Sequence, residues 1–347
     1  MDTLHIKKEV MAVRPNKAKL RLKAVGRLFF MIILISVYPI LIRLPWKIIF
    51  GVNAGSENDT KNYSPSWFAK ITRASIFYPI GIIKLPIGYG LQLGAQYSNE
   101  EIKENSELTY KLIKFLKKFK NTDRICLNGV IPSAAAKHGV WPDDDRFVTT
   151  QFGTLFMVNE NIKEIRERHP HVNNMPIGVV GCGYTGTRLI EYLSEELHID
   201  VIGFDSSQKG RTFKAAVFAG DQFSKIRKCG IVIILTTQGN SGIESILSHL
   251  NPHSVVLSDT HPKITNRMWE RVSKRVCAIY ESATKLPGCY FFPSFPRWAP
   301  DTVPGCTVQG ITESYANKVI TSQIESNELS RKWGFIARLD RPGGEHE

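Results

Sequence analysis

Residues 181–186 read Gly-Cys-Gly-Tyr-Thr-Gly, and an acid, Asp205, ends an apolar run about 20 residues further on. In such a spacing Gly181 permits a tight turn after a strand. Gly183 lets the backbone approach a pyrophosphate, and Gly186 lets the next helix pack closely on that strand. A helix from Thr187 to about residue 197 would aim its N-terminal N–H groups at the phosphates. Gly181, Cys182, Gly183, Tyr184, Thr185 and Gly186 are therefore candidate phosphate-turn residues, and the carboxylate of Asp205 suits a ribose 2′-OH. The chemistry this points to is dinucleotide binding for hydride transfer. NAD is favoured over NADP, because Asp205 repels a 2′-phosphate; Ser206, Ser207, Lys209 and Arg211 partly offset that repulsion.

Such a turn needs a sheet to carry it, and the surrounding pattern supplies one. Apolar runs at 177–180, 200–205, 230–235 and 254–259 alternate with helical stretches, one near 213–218 and one through Ile243, Ile246, Leu247 and Leu250. Further strands are expected at 276–280 and 289–292. Runs apolar throughout fit strands covered on both faces, so the expected fold class is α/β, a doubly wound parallel sheet of the Rossmann kind. Ligands of such sheets lie at the carboxyl ends of the strands. That rule selects Thr236, Thr237, Gln238 and Asn240 after one strand, and Asp259 and His261 at another. His261 is the candidate for exchanging a proton with a substrate oxygen, with Asp144 of the 143–145 acid cluster assisting across the cleft. Thr237 and Asn240 would hold the nicotinamide ribose or amide, and Lys285 and Arg297 an anionic substrate group.

The turn Thr236-Thr237-Gln238-Gly239-Asn240, His261 and the segment Asp144-Asp145-Arg146-Phe147 with Gln151 together resemble the NAD-binding domain of S-adenosylhomocysteine hydrolases. More loosely, the unit resembles that of D-2-hydroxyacid dehydrogenases. The resemblance covers about residues 144–271 and implies the fold and an NAD cofactor. Val140 stands where that family has its catalytic lysine, Asp145 where it has a hinge Asn, and Ser258 where it has an Asn before the His-bearing turn. The resemblance therefore argues against hydrolysis of adenosylhomocysteine. The alternative to an enzyme is an inactive dinucleotide-binding regulatory or scaffold protein.

The 347 residues carry a net charge of +13. Much of it lies before residue 28, directly ahead of the apolar run 28–42. A basic segment abutting an apolar one is a membrane signature with the basic side toward the cytoplasm, and no finger spacing or basic-aromatic repeat points to nucleic acid. The run holds 15 residues where a spanning helix needs ~20, and Pro39 interrupts it. A second apolar stretch, 75–94, repeats the pattern: Tyr38-Pro39-Ile40 before Arg43-Leu44-Pro45 matches Tyr78-Pro79-Ile80 before Lys84-Leu85-Pro86. Two re-entrant or interfacial segments are expected, or a two-span hairpin with the sequons at Asn58 and Asn62 in its loop, or else two buried helices of a soluble domain. The expected organisation is thus a membrane-associated region 1–96, a partial substrate domain 97–170, the dinucleotide domain 171–295 and a segment 296–347 packing back on the substrate domain. The catalytic part faces the cytoplasm and takes a small-molecule substrate; a homo-oligomer is compatible with the sequence. The six cysteines show no CxxC pair or zinc spacing, so no metal is expected, and Cys289 and Cys306 are the candidates for a reactive thiol.

Overall fold

Strands that are apolar on both faces need cover on both faces, and this chain provides it by interleaving helices with two separate sheets. The computed structural model describes residues 17–55, 72–73, 75–207, 212–260, 263–293 and 301–340, with backbone alone for 17–25, 27 and 54. The described chain opens with helices α1 (Lys17–Ser36) and α2 (Tyr38–Leu41), followed by strands β1 (Trp46–Gly55), β2 (Tyr78–Leu85) and β3 (Gly88–Ser98). Next come α3 (Asn99–Glu104), α4 (Ser106–Leu116), β4 (Thr122–Leu127), α5 (Ile131–His138), β5 (Phe147–Val148) and the long α6 (Gln151–Arg168). The first sheet has the order β2-β3-β1-β4-β5, with β3, β1, β4 and β5 parallel and β2 antiparallel to β3. Alternation of side chains divides its faces. Ile49, Leu91 and Leu93 share a core cluster with Leu112 and Leu116 of α4, whereas Ile48 and Phe50 face Phe156 of α6.

The second half carries β6 (Ile177–Val180), α7 (Tyr184–Glu191), β7 (Val201–Phe204), β8 (Val217–Gly220), β9 (Ile231–Ile234) and α8 (Asn240–Glu244). It continues through β10 (Val255–Ser258), α9 (Asn266–Ser273) and β11 (Ala278–Lys285). In space the strands lie β8-β7-β6-β9-β10-β11, all parallel, so the chain steps outward from its first strand in both directions. This is the strand order of a doubly wound dinucleotide-binding sheet, with its switch point between β6 and β9. Ile231 and Ile233 face one apolar cluster and Val232 and Ile234 the other, as parallel strands covered on both sides require.

The chain then laces the halves together. β12 (Tyr290–Phe292) crosses back to pair antiparallel with β2 of the first sheet. β13 (Thr302–Val303) returns to β11, and α10 (Gly305–Ala316) packs its Val308 and Ile311 against Ile48, Phe50 and Cys126 of the first sheet. After α11 (Gln323–Lys332), β14 (Ile336–Asp340) pairs antiparallel with β11.

Four expectations are corrected. Residues 75–94 are not a helical interfacial segment but β2 and most of β3, with Ile83, Leu91 and Leu93 buried. Pro79 is accommodated by a register shift between Pro79 and Gly81, where a missing N–H does no harm. The helix expected near 213–218 is absent; Val217 and Phe218 belong to the edge strand β8. The strand at 289–292 joins the first sheet and not the second, and the one helix expected from Ile311 to about residue 326 is two, α10 and α11. Residues 28–36 and 38–41 are helical, and among the described residues no helix is long and apolar enough to cross a membrane. Asn58 and Asn62 lie outside the described residues.

Candidate active site

Gly181 follows β6 at φ 96°, a conformation that strains any residue with a Cβ, and an added Cβ would come within 2.8 Å of Leu235 O. Gly186 is tighter: a Cβ there would lie 1.9 Å from Gly181 O, so only glycine lets α7 rise out of the turn. Gly183 is the opposite case. Nothing lies within 4 Å of its Cβ position, so the space in front of Tyr184 and Thr185 at the start of α7 is open. Thr187 Oγ1 holds the turn from behind by donating to Cys182 O at 2.8 Å.

Asp205, just past β7, is tied to this turn. Its Oδ2 accepts from Cys182 N at 2.8 Å, and its Oδ1 accepts from Ser207 N at 2.9 Å and Ser207 Oγ at 2.6 Å. The carboxylate is thereby fixed beside the groove. Gln151 at the start of α6 donates to Tyr184 O at 2.9 Å, linking the interdomain helix to the turn.

The loop after β9 forms the other wall. Thr236 Oγ1 accepts from Gln238 N at 3.4 Å, and Gly242 packs on the Thr236 side chain. Asn240 is engaged elsewhere: its amide exchanges two hydrogen bonds with Thr265, at 3.0 and 3.1 Å, and so pins the loop to the start of α9. Thr237 faces the first domain. Its carbonyl accepts from Asn99 Nδ2 at 3.0 Å and its hydroxyl bonds Lys103 Nζ at 2.5 Å.

Motif spacing alone does not select Asn99 and Lys103. They sit on α3, at the carboxyl end of β3, where Ser98 and Glu101 form a reciprocal cap that fixes the start of the helix. Asn53 of β1 donates to Asn99 Oδ1 at 2.7 Å and accepts from Val130 N at 3.1 Å, which orients the Asn99 amide toward Thr237. Burial lowers the Lys103 ammonium below its usual range; Glu100 and Asp205 act against that shift, and Lys137 adds to it. The carboxyl-end rule that selects Thr237 selects these residues too, once residues 75–94 are known to be strands.

Asp259 follows β10, its N–H bonded to Ile234 O at 2.9 Å. Burial pushes its carboxyl up to about 6, with Glu281 adding to the shift and Lys263 opposing it. Lys263 itself forms an ion pair with Glu281 at 2.8 Å. Cys306, at the first turn of α10, accepts from the Gly129 backbone, and burial together with the nearby Asp259 raises its thiol to about 12. Cys289 is raised to about 12 by burial as well, so neither thiol ionises readily, contrary to the expectation of a reactive cysteine.

The structure does not bring Asp144 to this cleft. Its carboxylate is paired with Arg146 at 2.7 Å, and Arg146 also donates to Phe119 O and Lys120 O just before β4 begins, at the amino end of the sheet. The Arg146 guanidinium holds the Asp144 carboxyl below the usual range. Lys285 pairs with Asp301 at 2.9 Å. His261, Lys209, Arg211 and Arg297 lie outside the described residues. Among the described residues no group of His, Cys, Asp and Glu is placed to hold a metal.

No protein-family model matches the chain, and no curated protein matches it. Among solved structures it is similar to shikimate 5-dehydrogenase from Listeria monocytogenes in complex with shikimate and NAD, at 10% identity and TM-score 0.41 over 83% of this chain and 96% of that one. It is similar to L-tryptophan dehydrogenase from Nostoc punctiforme at 13% identity and TM-score 0.39, over 83% of this chain and 80% of that one. A methylenetetrahydrofolate dehydrogenase-cyclohydrolase from Trypanosoma brucei, complexed with NADP and an inhibitor, matches at 11% identity and TM-score 0.33, over 91% of this chain and 96% of that one.

Proposed function

We propose that the chain is a nicotinamide-dinucleotide-dependent oxidoreductase attached to a membrane surface through its N-terminal helix. One observation carries the catalytic part. A glycine turn with open space at Gly183 lies at the switch point of the dinucleotide sheet, and the first domain sets Asn99 and Lys103 against Thr237 on its far wall.

Residues fit a dinucleotide along this groove. The N-terminus of α7 would receive the pyrophosphate, and Asp205 the hydroxyls of the adenosine ribose. Thr237 and Gln238 would border the nicotinamide end. Lys103, which bonds Thr237 and feels the charge of Asp205, would face the phosphates from the opposite domain. When bound, the cofactor supplies a ring carbon that gives or takes hydride. The chain's own task is to exchange the matching proton with the substrate oxygen. Asp259 suits that task, because a carboxyl held near 6 can both give and accept a proton at neutral pH. His261 is the second proton carrier to which the sequence points. The fixed Asp205 carboxylate favours NAD over NADP.

The likeness of residues 236–240 to S-adenosylhomocysteine hydrolases supports the cofactor and not that family's hydrolysis. A second reading, a dinucleotide-binding regulatory protein without turnover, is favoured by the engagement of Asp144 with Arg146. Titration of the purified chain with NADH and NADPH tests both readings at their root. Saturable NADH binding, tighter than NADPH, is expected; binding of neither overturns the proposal. Oxidation of bound NADH on adding small carbonyl compounds separates enzyme from regulator.

A further inference from the structure

Helix α1 has two unlike faces. Met31 and Leu34 are buried, Met31 against Tyr78 and Leu34 in the cluster beneath α4. Phe29, Ile32 and Ile33 are exposed at 66%, 42% and 43%, and Ile40 of α2 extends the same row at 61%. Their spacing of three and four residues, then seven, keeps them on one side of the helical path. The row does not stop at the helix. Phe30 meets the ring of Phe292 edge-on at 4.6 Å, and Phe292, itself 61% exposed, stands on the edge strand β12. The result is a continuous apolar surface built from a helix and a sheet edge, larger than single exposed residues account for.

The charge of the sequence that carries this surface decides what covers it. From Val10 to Ser56 the sequence contains no acid and eight bases, five of them (Lys17, Lys19, Arg21, Lys23 and Arg27) within α1. Lys84 is exposed on β2 opposite Tyr290 of β12. A second copy of the chain would bring the same positive charge against itself. An anionic lipid surface attracts it and also receives the apolar row. Because Met31 and Leu34 pack on protein, the helix cannot be surrounded by lipid and must lie along the interface.

We infer that α1 and the edge strand β12 form an interfacial docking face for an anionic membrane, with Phe29, Ile32, Ile33, Ile40 and Phe292 entering the headgroup region. This deepens the membrane part of the proposed function and rests on it, while standing apart from the cofactor site.

Flotation of the full chain with phosphatidylcholine vesicles, with and without phosphatidylserine, tests it. The expected result is co-flotation that requires phosphatidylserine and is weakened by salt. Ile32→Ser with Ile33→Ser should abolish it while the melting curve and NADH titration stay unchanged, since both side chains are exposed. Failure of the wild-type chain to float with anionic vesicles overturns the inference, as does flotation that survives the double substitution. A dimer in light scattering that the same substitutions dissolve would assign the face to a second copy instead. A chain that floats but binds no NADH would keep this inference and remove the cofactor reading alone.

Discussion

Asn99 Nδ2 donates to Thr237 O at 3.0 Å, and through this bond the carboxyl end of β3 in one domain touches the loop after β9 in the other. Asn53 backs it at 2.7 Å, so three residues from distant parts of the sequence form one polar relay across the cleft. The spacing of the domains is fixed there, at the place where the proposed cofactor would put its nicotinamide end.

Replacing Asn99 with Ala takes one hydrogen bond from Asn53 Nδ2 and one from Thr237 O. Unmade bonds of buried groups cost about 1–3 kcal/mol each, so for the two together a loss of about 2–6 kcal/mol in unfolding free energy is expected. Urea denaturation of wild type and variant measures it.

Lys103→Ala should weaken NADH binding about tenfold, a single charge-assisted contact's worth. Binding of adenosine, which carries no phosphate, should be unchanged. Calorimetric titration with both ligands makes the comparison, and an equal loss for adenosine would move Lys103 away from the phosphates.

The glycines of the turn should respond differently. At Gly183 the added side chain enters empty space, so Gly183→Val should keep the melting temperature and abolish NADH binding. At Gly186 a Cβ runs into Gly181 O, and Gly186→Val should cost roughly 3 kcal/mol of stability before binding is even considered. Thermal melts paired with titrations distinguish the two effects.

Asp205→Ala removes the carboxylate that repels a 2′-phosphate. NADH affinity should fall and NADPH affinity should hold or rise, narrowing the ratio by about tenfold. The same change frees Cys182 N, so a small drop in melting temperature should accompany it.

Asp259 carries a pH signature. Its carboxyl is raised to about 6 in the folded chain, whereas an unfolded aspartate titrates near ~3.9. The folded state therefore binds the extra proton between those values, and this group's contribution to stability falls as pH rises through that window and is flat above it. Across the whole window the loss amounts to ~3 kcal/mol, with the opposing Lys263 charge already included in the shift. Asp259→Asn should be close to wild type in stability at pH 4 and more stable at pH 7, as urea midpoints at the two pH values would show.

The second sheet is legible in the sequence because its parallel strands are largely apolar, end in glycine or a polar turn and alternate with helices. Of its six parallel strands β8 alone escapes, since Val217 and Phe218 on a short edge strand look the same as one turn of an apolar helix, and the antiparallel β13 and β14 escape as well. The first sheet is hidden by a genuine ambiguity. Tyr38-Pro39-Ile40 and Tyr78-Pro79-Ile80 share residues and basic sequels, yet the first builds α2 with its proline in the first turn and the second builds β2 with its proline at a bulge. Periodicity cannot separate a buried strand from a buried helix over such short runs, and what decides is pairing with β3, a tertiary fact. The candidate site splits along the same line. The glycine turn and Asp205 lie within one local unit, whereas Asn53, Asn99 and Lys103 acquire meaning only once both sheets exist.

β12 gives the molecule a schedule. The outer edge of the first sheet waits for residues 290–292, which leave the ribosome after all six parallel strands of the second sheet. Any part of the first sheet that forms earlier has β2 uncovered on one side, an unpaired edge of the kind that invites pairing with other chains. A nascent chain stopped at residue 285 would display that edge permanently, so the last fifth of the sequence serves the first third as a built-in seal.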